Sequence, residues 1–190
     1  MNLTLAEKKT LLSLARRTIE RWVRPEGSSL TDTRGNEMNE SLYQNCGAFV
    51  SVYVEGKLRG CIGTFSEEGT LYENVKNMSI SAATADNRFS PITADELDRL
   101  KIEISVLSPR KRIKDEKEII PGIHGIYMIR GPNRGTLLPQ VAIDQNWTVD
   151  EFLGNCAKYK AGIGWDGWKT AELYSYRATV FNSEEIKLDC

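Results

Sequence analysis

The chain has 190 residues, of which 41% are hydrophobic and 27% charged, a balance that fits one globular folding unit and argues against disordered and fibrous classes. With 25 Lys+Arg against 26 Asp+Glu, the molecule as a whole carries no electrostatic footprint for nucleic acid or for an anionic membrane. There is no apolar run near the roughly 18 residues of a membrane span and no signal-peptide pattern, while Cys46, Cys61, Cys156 and Cys190 are too scattered for a disulfide scaffold, so a cytoplasmic protein is expected.

Four Thr-x-x-Glu boxes, Thr4 to Glu7, Thr70 to Glu73, Thr93 to Glu96 and Thr148 to Glu151, predict helix starts, because hydroxyl and carboxylate satisfy amides that lack intrahelical partners. The first opens a helix with Leu5, Leu12, Ala15, Ile19 and Trp22 at helical spacing, stopped by Pro25. A polar loop over 25–44 follows. Phe49 to Val54, Glu55-Gly56-Lys57 and Leu58 to Phe65 then read as a hairpin.

The second helix carries Leu71, Val75, Met78, Ala82 and Ala85 on one stripe, its small residues suited to close packing on a sheet. The third box gives a short helical turn before Leu97 and Leu100. In the strand over 101–107, Ile102, Ile104 and Val106 face a core while Lys101, Glu103 and Ser105 face out. After a second long loop over 108–122, Gly125 to Arg130 and Thr136 to Val141 form another hairpin joined by residues 131–135. The fourth helix presents Phe152, Cys156 and Tyr159 on one face, and a last strand from Glu172 to Phe181 puts Tyr174, Tyr176, Ala178 and Val180 on one side. Hairpins interspersed with helices predict an α+β fold, a mainly antiparallel sheet flanked by helices, over 1–190 as a single domain.

The segment Leu58-Arg59-Gly60-Cys61-Ile62-Gly63-Thr64-Phe65 sets one thiol between two glycines. Gly60 and Gly63 strip side-chain cover from a strand and admit a close neighbour, either protein backbone or ligand. Strict alternation puts Arg59, Cys61 and Phe65 on one face, with Leu58, Gly60, Ile62 and Thr64 on the other, and a guanidinium beside a thiol favours the nucleophilic thiolate. Cys61 is therefore a candidate nucleophile or a small buried residue.

His124, the one histidine, is a candidate general base for Cys61 or a turn cap. In Asp86-Asn87-Arg88-Phe89-Ser90-Pro91, Arg88 is a candidate anion holder oriented by Asp86, and the same pair would close the helix end. Gln140 after Pro139 sits on a strand rim, where it offers its amide to a ligand or to backbone. Trp165 and Trp168 form a partner-binding loop or anchor it to the core. No motif demands a cofactor. With a single histidine, a metal site is not expected.

Taken with Ala82-Ala83, Asp86-x-Arg88-Phe89-x-Pro91, the strand over 102–107, Pro121-Gly122-x-His124-Gly125, Leu138-Pro139-Gln140-Val141 and Glu151-Phe152-Leu153, residues 58–65 resemble the AMMECR domain family. Only the stretch after Cys156 follows the family pattern loosely. The resemblance implies a two-lobed α+β fold with a smaller lobe beside the main one, of the type seen in the first component of systems that also contain a Memo-like protein and a radical SAM protein. It implies a pathway shared with those two partners, in which the chain binds a small polar or anionic ligand, acts as a thiol-dependent enzyme, or serves as a docking module. Cys61 and His124 would then be catalytic, with Arg59, Gly60, Gly63, Arg88 and Gln140 binding substrate.

Overall fold

A computed structural model describes residues 3–24, 40–65 and 69–187. Its strands are β1 (Ala48–Val54), β2 (Lys57–Thr64), β3 (Leu100–Leu107), β4 (Lys111–Ile113), β5 (Gly125–Arg130), β6 (Asn133–Leu137), β7 (Glu172–Tyr176) and β8 (Ala178–Asn182). The helices are α1 (Leu5–Val23), α2 (Leu71–Thr84), α3 (Pro139–Asp144) and α4 (Val149–Asn155). Two four-stranded sheets, ordered β2-β1-β3-β8 and β4-β7-β5-β6, with antiparallel pairing of β1 to β2 and β3 and of β7 to β4 and β5, make this an α+β fold. The chain divides into two compact units, Met1–Val106 with Thr179–Cys190, and Leu107–Ala178.

In the first unit, α1 and α2 begin at the predicted boxes, with the Thr4 and Thr70 hydroxyls accepting the amides of Glu7 and Glu73. Glu7 is itself buried, and its carboxylate also takes the Ser41 hydroxyl. That bond, with those from Thr4, holds its carboxyl below the usual range against the opposing effect of burial. The stripe that α1 buries is Leu11, Leu12, Leu14, Ala15 and Ile19. Leu5 and Trp22, expected on it, lie exposed in the terminal turns.

Ala48, Val50, Val52 and Val54 alternate into the core with Leu100, Ile102, Ile104 and Val106 from β3, against Leu71, Val75 and Ala82 of α2. Burial of each Val, Leu or Ile among them contributes roughly 1.5–3 kcal/mol. Glu55 and Gly56 turn the hairpin with φ of 52° and 76°, the pair of positive values that matches strand twist in a two-residue loop. Lys57, expected in the turn, already pairs with Val54.

The hairpin then departs from strict alternation. Tyr53 faces Leu58, but Val52 faces Gly60, so Arg59 is the extra residue of a β-bulge. The bulge breaks the expected face of Leu58, Gly60, Ile62 and Thr64: Leu58 falls opposite Tyr53 and outside the core, while Ile62 packs against it.

The second unit has its own core of Ile126, Met128, Leu137, Phe152, Leu153, Cys156, Ala157 and Trp168. Four features of the structure depart from the sequence expectation. The loop over 108–122 carries β4, paired with β7. The expected strand from Thr136 to Val141 stops at Leu137, because Pro139 opens α3, where its fixed φ suits the first helical position and its missing donor costs nothing. After α4 the backbone widens into a π turn, Cys156–Lys160, with Ala161 N–H bonded to the Cys156 carbonyl at 2.9 Å. Cys156 stays buried and Tyr159 is turned out to 67% exposure. Finally, the expected strand from Glu172 to Phe181 breaks at Arg177, so that β7 joins one sheet and β8 the other.

Candidate functional site

β2 is the outer strand of its sheet, so alternate backbone N–H groups on its free side need partners from elsewhere. Cys61 lies opposite Ser51, and its amide points to the carboxylate of Asp86 at 2.9 Å. With that amide turned away from β1, the two side chains meet closely. The Ser51 hydroxyl, on a residue 8% exposed, donates to the Cys61 sulfur at 3.1 Å. Cys61 is partly exposed, whereas Cys46 and Cys156 are buried. Burial pushes the Cys156 thiol up to about 12, with Lys160 opposing.

Asp86 follows the end of α2, where the Ile92 amide bonds back to the Ala83 carbonyl at 2.8 Å and closes the loop. Its buried carboxylate accepts Arg88 Nε at 2.9 Å, Arg88 Nη2 at 2.7 Å and the Arg88 amide at 3.2 Å, besides the Cys61 amide. The Arg88 hydrogen bonds hold the carboxyl far below the usual range, outweighing burial. Arg88 is raised in turn, chiefly by Asp86 and in part by the charge Cys61 carries when ionised. The Arg88 side chain is 54% exposed and lies against Phe89, with Cζ 5.2 Å from the ring centroid. Of its five N–H donors, two serve Asp86, which leaves a fork able to take an oxyanion.

Arg59 is spent differently from the sequence expectation. Its Nη1 pairs with Glu96 and its Nη2 donates to the Ser90 carbonyl at 3.1 Å. The bulge aims Arg59 at the turn after Thr93.

The two glycines also have protein neighbours. A Cβ on Gly60 would lie 1.8 Å from the Ala82 carbonyl oxygen of α2, and one on Gly63 would lie 2.1 Å from the Phe49 ring, which packs edge-on to Phe65 at 5.5 Å. The close approach at Gly60 is thus that of a helix, and at Gly63 that of an aromatic ring.

His124 and Gln140 belong to the second unit. His124 Nδ1 lies 3.2 Å from the Ile120 amide and 3.1 Å from the Glu118 carbonyl, accepting from one or donating to the other according to tautomer. That is the turn-cap role. Gln140 stands in the first turn of α3, partly exposed. Trp168 is buried in the second core, and Trp165 covers Gly154, where a Cβ would meet its ring at 2.4 Å, so these tryptophans anchor their loop.

The structure therefore gathers Cys61, Ser51, Asp86, Arg88 and Phe89 in the first unit. Ser51 was not singled out by the sequence. A regular hairpin closed by Glu55-Gly56 would set Ser51 against Gly60, and only the bulge moves Cys61 opposite it.

An α+β molecule with a partly exposed thiol on a sheet edge and an arginine braced beside it is the class that fold and site define. The AMMECR1 family profile matches residues 12–181, and the chain belongs to that family. It is 35% identical over 189 residues to protein Mbar_A1807 of Methanosarcina barkeri, covering 96% of this chain and 93% of the relative. Protein MK0488 of Methanopyrus kandleri is 37% identical over 194 residues, covering 96% and 91% respectively. The crystal structure of uncharacterized protein PH0010 from Pyrococcus horikoshii is similar with a TM-score of 0.82 at 31% identity, covering 92% of this chain and 90% of that one.

Proposed function

We propose that the protein is a cytoplasmic small-ligand-binding protein in which Cys61 is a reactive thiol and Arg88 holds an anionic group of the ligand. The observation that carries this reading is that one Asp86 carboxylate bonds both the backbone amide of Cys61 and the Arg88 guanidinium, which fixes the strand at the thiol and the cation to a common group. A site built this way sets a nucleophile near an anion holder without relying on a flexible side chain to find its place. It rests on side chains of the first unit. Work in a pathway with Memo-like and radical SAM proteins is the context that the family resemblance supplies.

The test is protection of the thiol. Small-molecule fractions of a cell extract are added before a neutral alkylating reagent, and modification of Cys61 is read by peptide mapping. A fraction that protects Cys61 in the wild type, and protects it less in Arg88→Met, is the expected result. Failure of every fraction to protect contradicts ligand binding at this site.

A second reading, a non-catalytic module docking onto those partners, is favoured by the exposure of Ile120, Ile123 and Ile143. Gly122 brings them together, since a Cβ on it would lie 2.8 Å from Ile143. Apolar side chains grouped on a surface are a common mark of an interface. Co-purification with the partners that survives Cys61→Ser and is lost with Ile143→Ser supports docking, and the reverse pattern contradicts it.

A further inference from the structure

We propose that His124 makes the turn over 118–124 a pH-sensitive switch: the neutral ring accepts the Ile120 amide at Nδ1, and protonation turns Nδ1 into a donor and releases that amide. The switch belongs to the second unit and does not depend on the thiol reading. It bears on the docking reading, because the turn carries Ile120 and Ile123, which are exposed as Ile143 is.

One ring nitrogen stands between two backbone groups of opposite kind. Nδ1 lies 3.2 Å from the Ile120 N–H, a donor, and 3.1 Å from the Glu118 carbonyl, an acceptor. It cannot serve both: unprotonated it accepts, protonated it donates. In the neutral ring with its proton on Nε2, Nδ1 serves the amide, a group left unpaired more rarely than a carbonyl. In the imidazolium both nitrogens carry protons. Nδ1–H then donates to Glu118, and the Ile120 N–H faces another donor. Histidine is the side chain whose charge ordinarily changes between about pH 5 and 8, and the chain has one.

What the amide holds is the turn itself. The Ile120 carbonyl accepts the Ile123 and His124 amides at 3.1 and 2.9 Å, so residue 120 is tied to residue 124 through both of its backbone groups. Between them Gly122, at φ 80°, lies against α3, where a Cβ on it would be 2.8 Å from Ile143. Releasing one tie loosens the seating of the turn on Ile143.

The charged groups around the ring come from three elements. On its own turn are Glu116, Lys117 and Glu118, and the Glu118 carboxylate takes the Lys114 and Asp115 amides and Lys111 Nζ. Asp144 ends α3. On β7, Tyr176 lies against Gly125, its hydroxyl bonded to Thr136 and Leu137 and its titration pushed up by burial, and Arg177 follows it. Among the described residues none of these side chains carries a hydrogen bond or ion pair to the ring, so the bonds that change with its charge are the two at Nδ1.

Nitrogen-15 NMR of the full chain from about pH 5 to 8 reads ring and turn together, the single histidine making the ring signals unambiguous. Above the ring's midpoint Nδ1 should be unprotonated. Protection of the Ile120 amide from exchange, corrected for the intrinsic effect of pH, should fall about fivefold through that midpoint, the equivalent of one hydrogen bond of typical net strength. The nuclear Overhauser contact between Gly122 Hα and the Ile143 side chain should weaken over the same range. In His124→Asn, whose amide does not titrate, the step at Ile120 should be absent. A ring protonated at Nδ1 above its midpoint overturns the switch, because the Glu118 bond is then present in both states. So does an Ile120 amide that does not follow the ring, or a step that persists in His124→Asn. A constant Gly122 to Ile143 contact overturns the link to the apolar surface. None of these outcomes touches the alkylation of Cys61, so the switch and the thiol reading fail separately.

Discussion

At Asp86 one buried carboxylate serves a strand edge and a side-chain cation together, so its protonation state links folding to pH. Its folded-state pKa is depressed. The stabilisation is therefore complete above the unfolded carboxylate value of about 3.9 and is lost as pH falls from there towards the lower folded value. Asp86→Asn keeps an oxygen acceptor for the Cys61 amide but removes the charge that faces Arg88. We expect it to cost about 1–3 kcal/mol at neutral pH, with the difference from wild type shrinking below about pH 4. Denaturant unfolding across the acid range measures it, and a pH-independent difference would contradict the linkage. Glu7, also depressed, keeps some acid sensitivity in the variant.

Ser51 makes a separable prediction. Its hydroxyl is buried and its bond is to the Cys61 sulfur. Ser51→Ala should slow alkylation of Cys61 about fivefold, the kinetic equivalent of one hydrogen bond of typical net strength, with little change in the unfolding midpoint. An unchanged rate would make the contact a matter of packing.

Among the elements, the closest approach around the site is that of α2 to β2. A Cβ at Gly60 would sit 1.8 Å from a backbone carbonyl oxygen, and backbone cannot rotate away as a side-chain tip can. Gly60→Ala should therefore destabilise the fold by about 3 kcal/mol, at the upper end of overpacking costs, visible as a fall in the urea midpoint. A midpoint within experimental error of wild type would show that α2 shifts freely.

Elements with strong local chemistry were legible. The boxes at Thr4, Thr70, Thr93 and Thr148 opened helical segments, although Thr93 leads only into a short 3-10 turn. Features decided by tertiary contact were not. The bulge at Arg59 has no composition signal, yet it sets both the Cys61 to Ser51 pairing and the diversion of Arg59 to Glu96. The π turn after Asn155 likewise follows from closure onto Ala161 rather than from helical periodicity, and that periodicity had placed Tyr159 inward.

For the whole molecule, net charge is near neutrality, and among the described residues no helix is long and apolar enough to cross a membrane. The two units have separate cores, but their boundaries leave no mark in composition. One falls between Val106 and Leu107 inside β3, the other between Ala178 and Thr179 inside β8. No linker signal exists to be read where a chain crosses between units along a strand. The α+β class was legible because alternation and capping are local, and membership of the AMMECR1 family because several spaced motifs fall in order along the chain.

The most direct measurement is the alkylation rate of each cysteine in the folded protein by a neutral reagent, read by peptide mapping. Cys61 should react at a rate comparable to or above that of a free thiol, while Cys46 and Cys156, buried in the two cores, react only as the protein unfolds. A Cys61 that is protected to the same degree as those two would contradict a reactive-thiol site on β2.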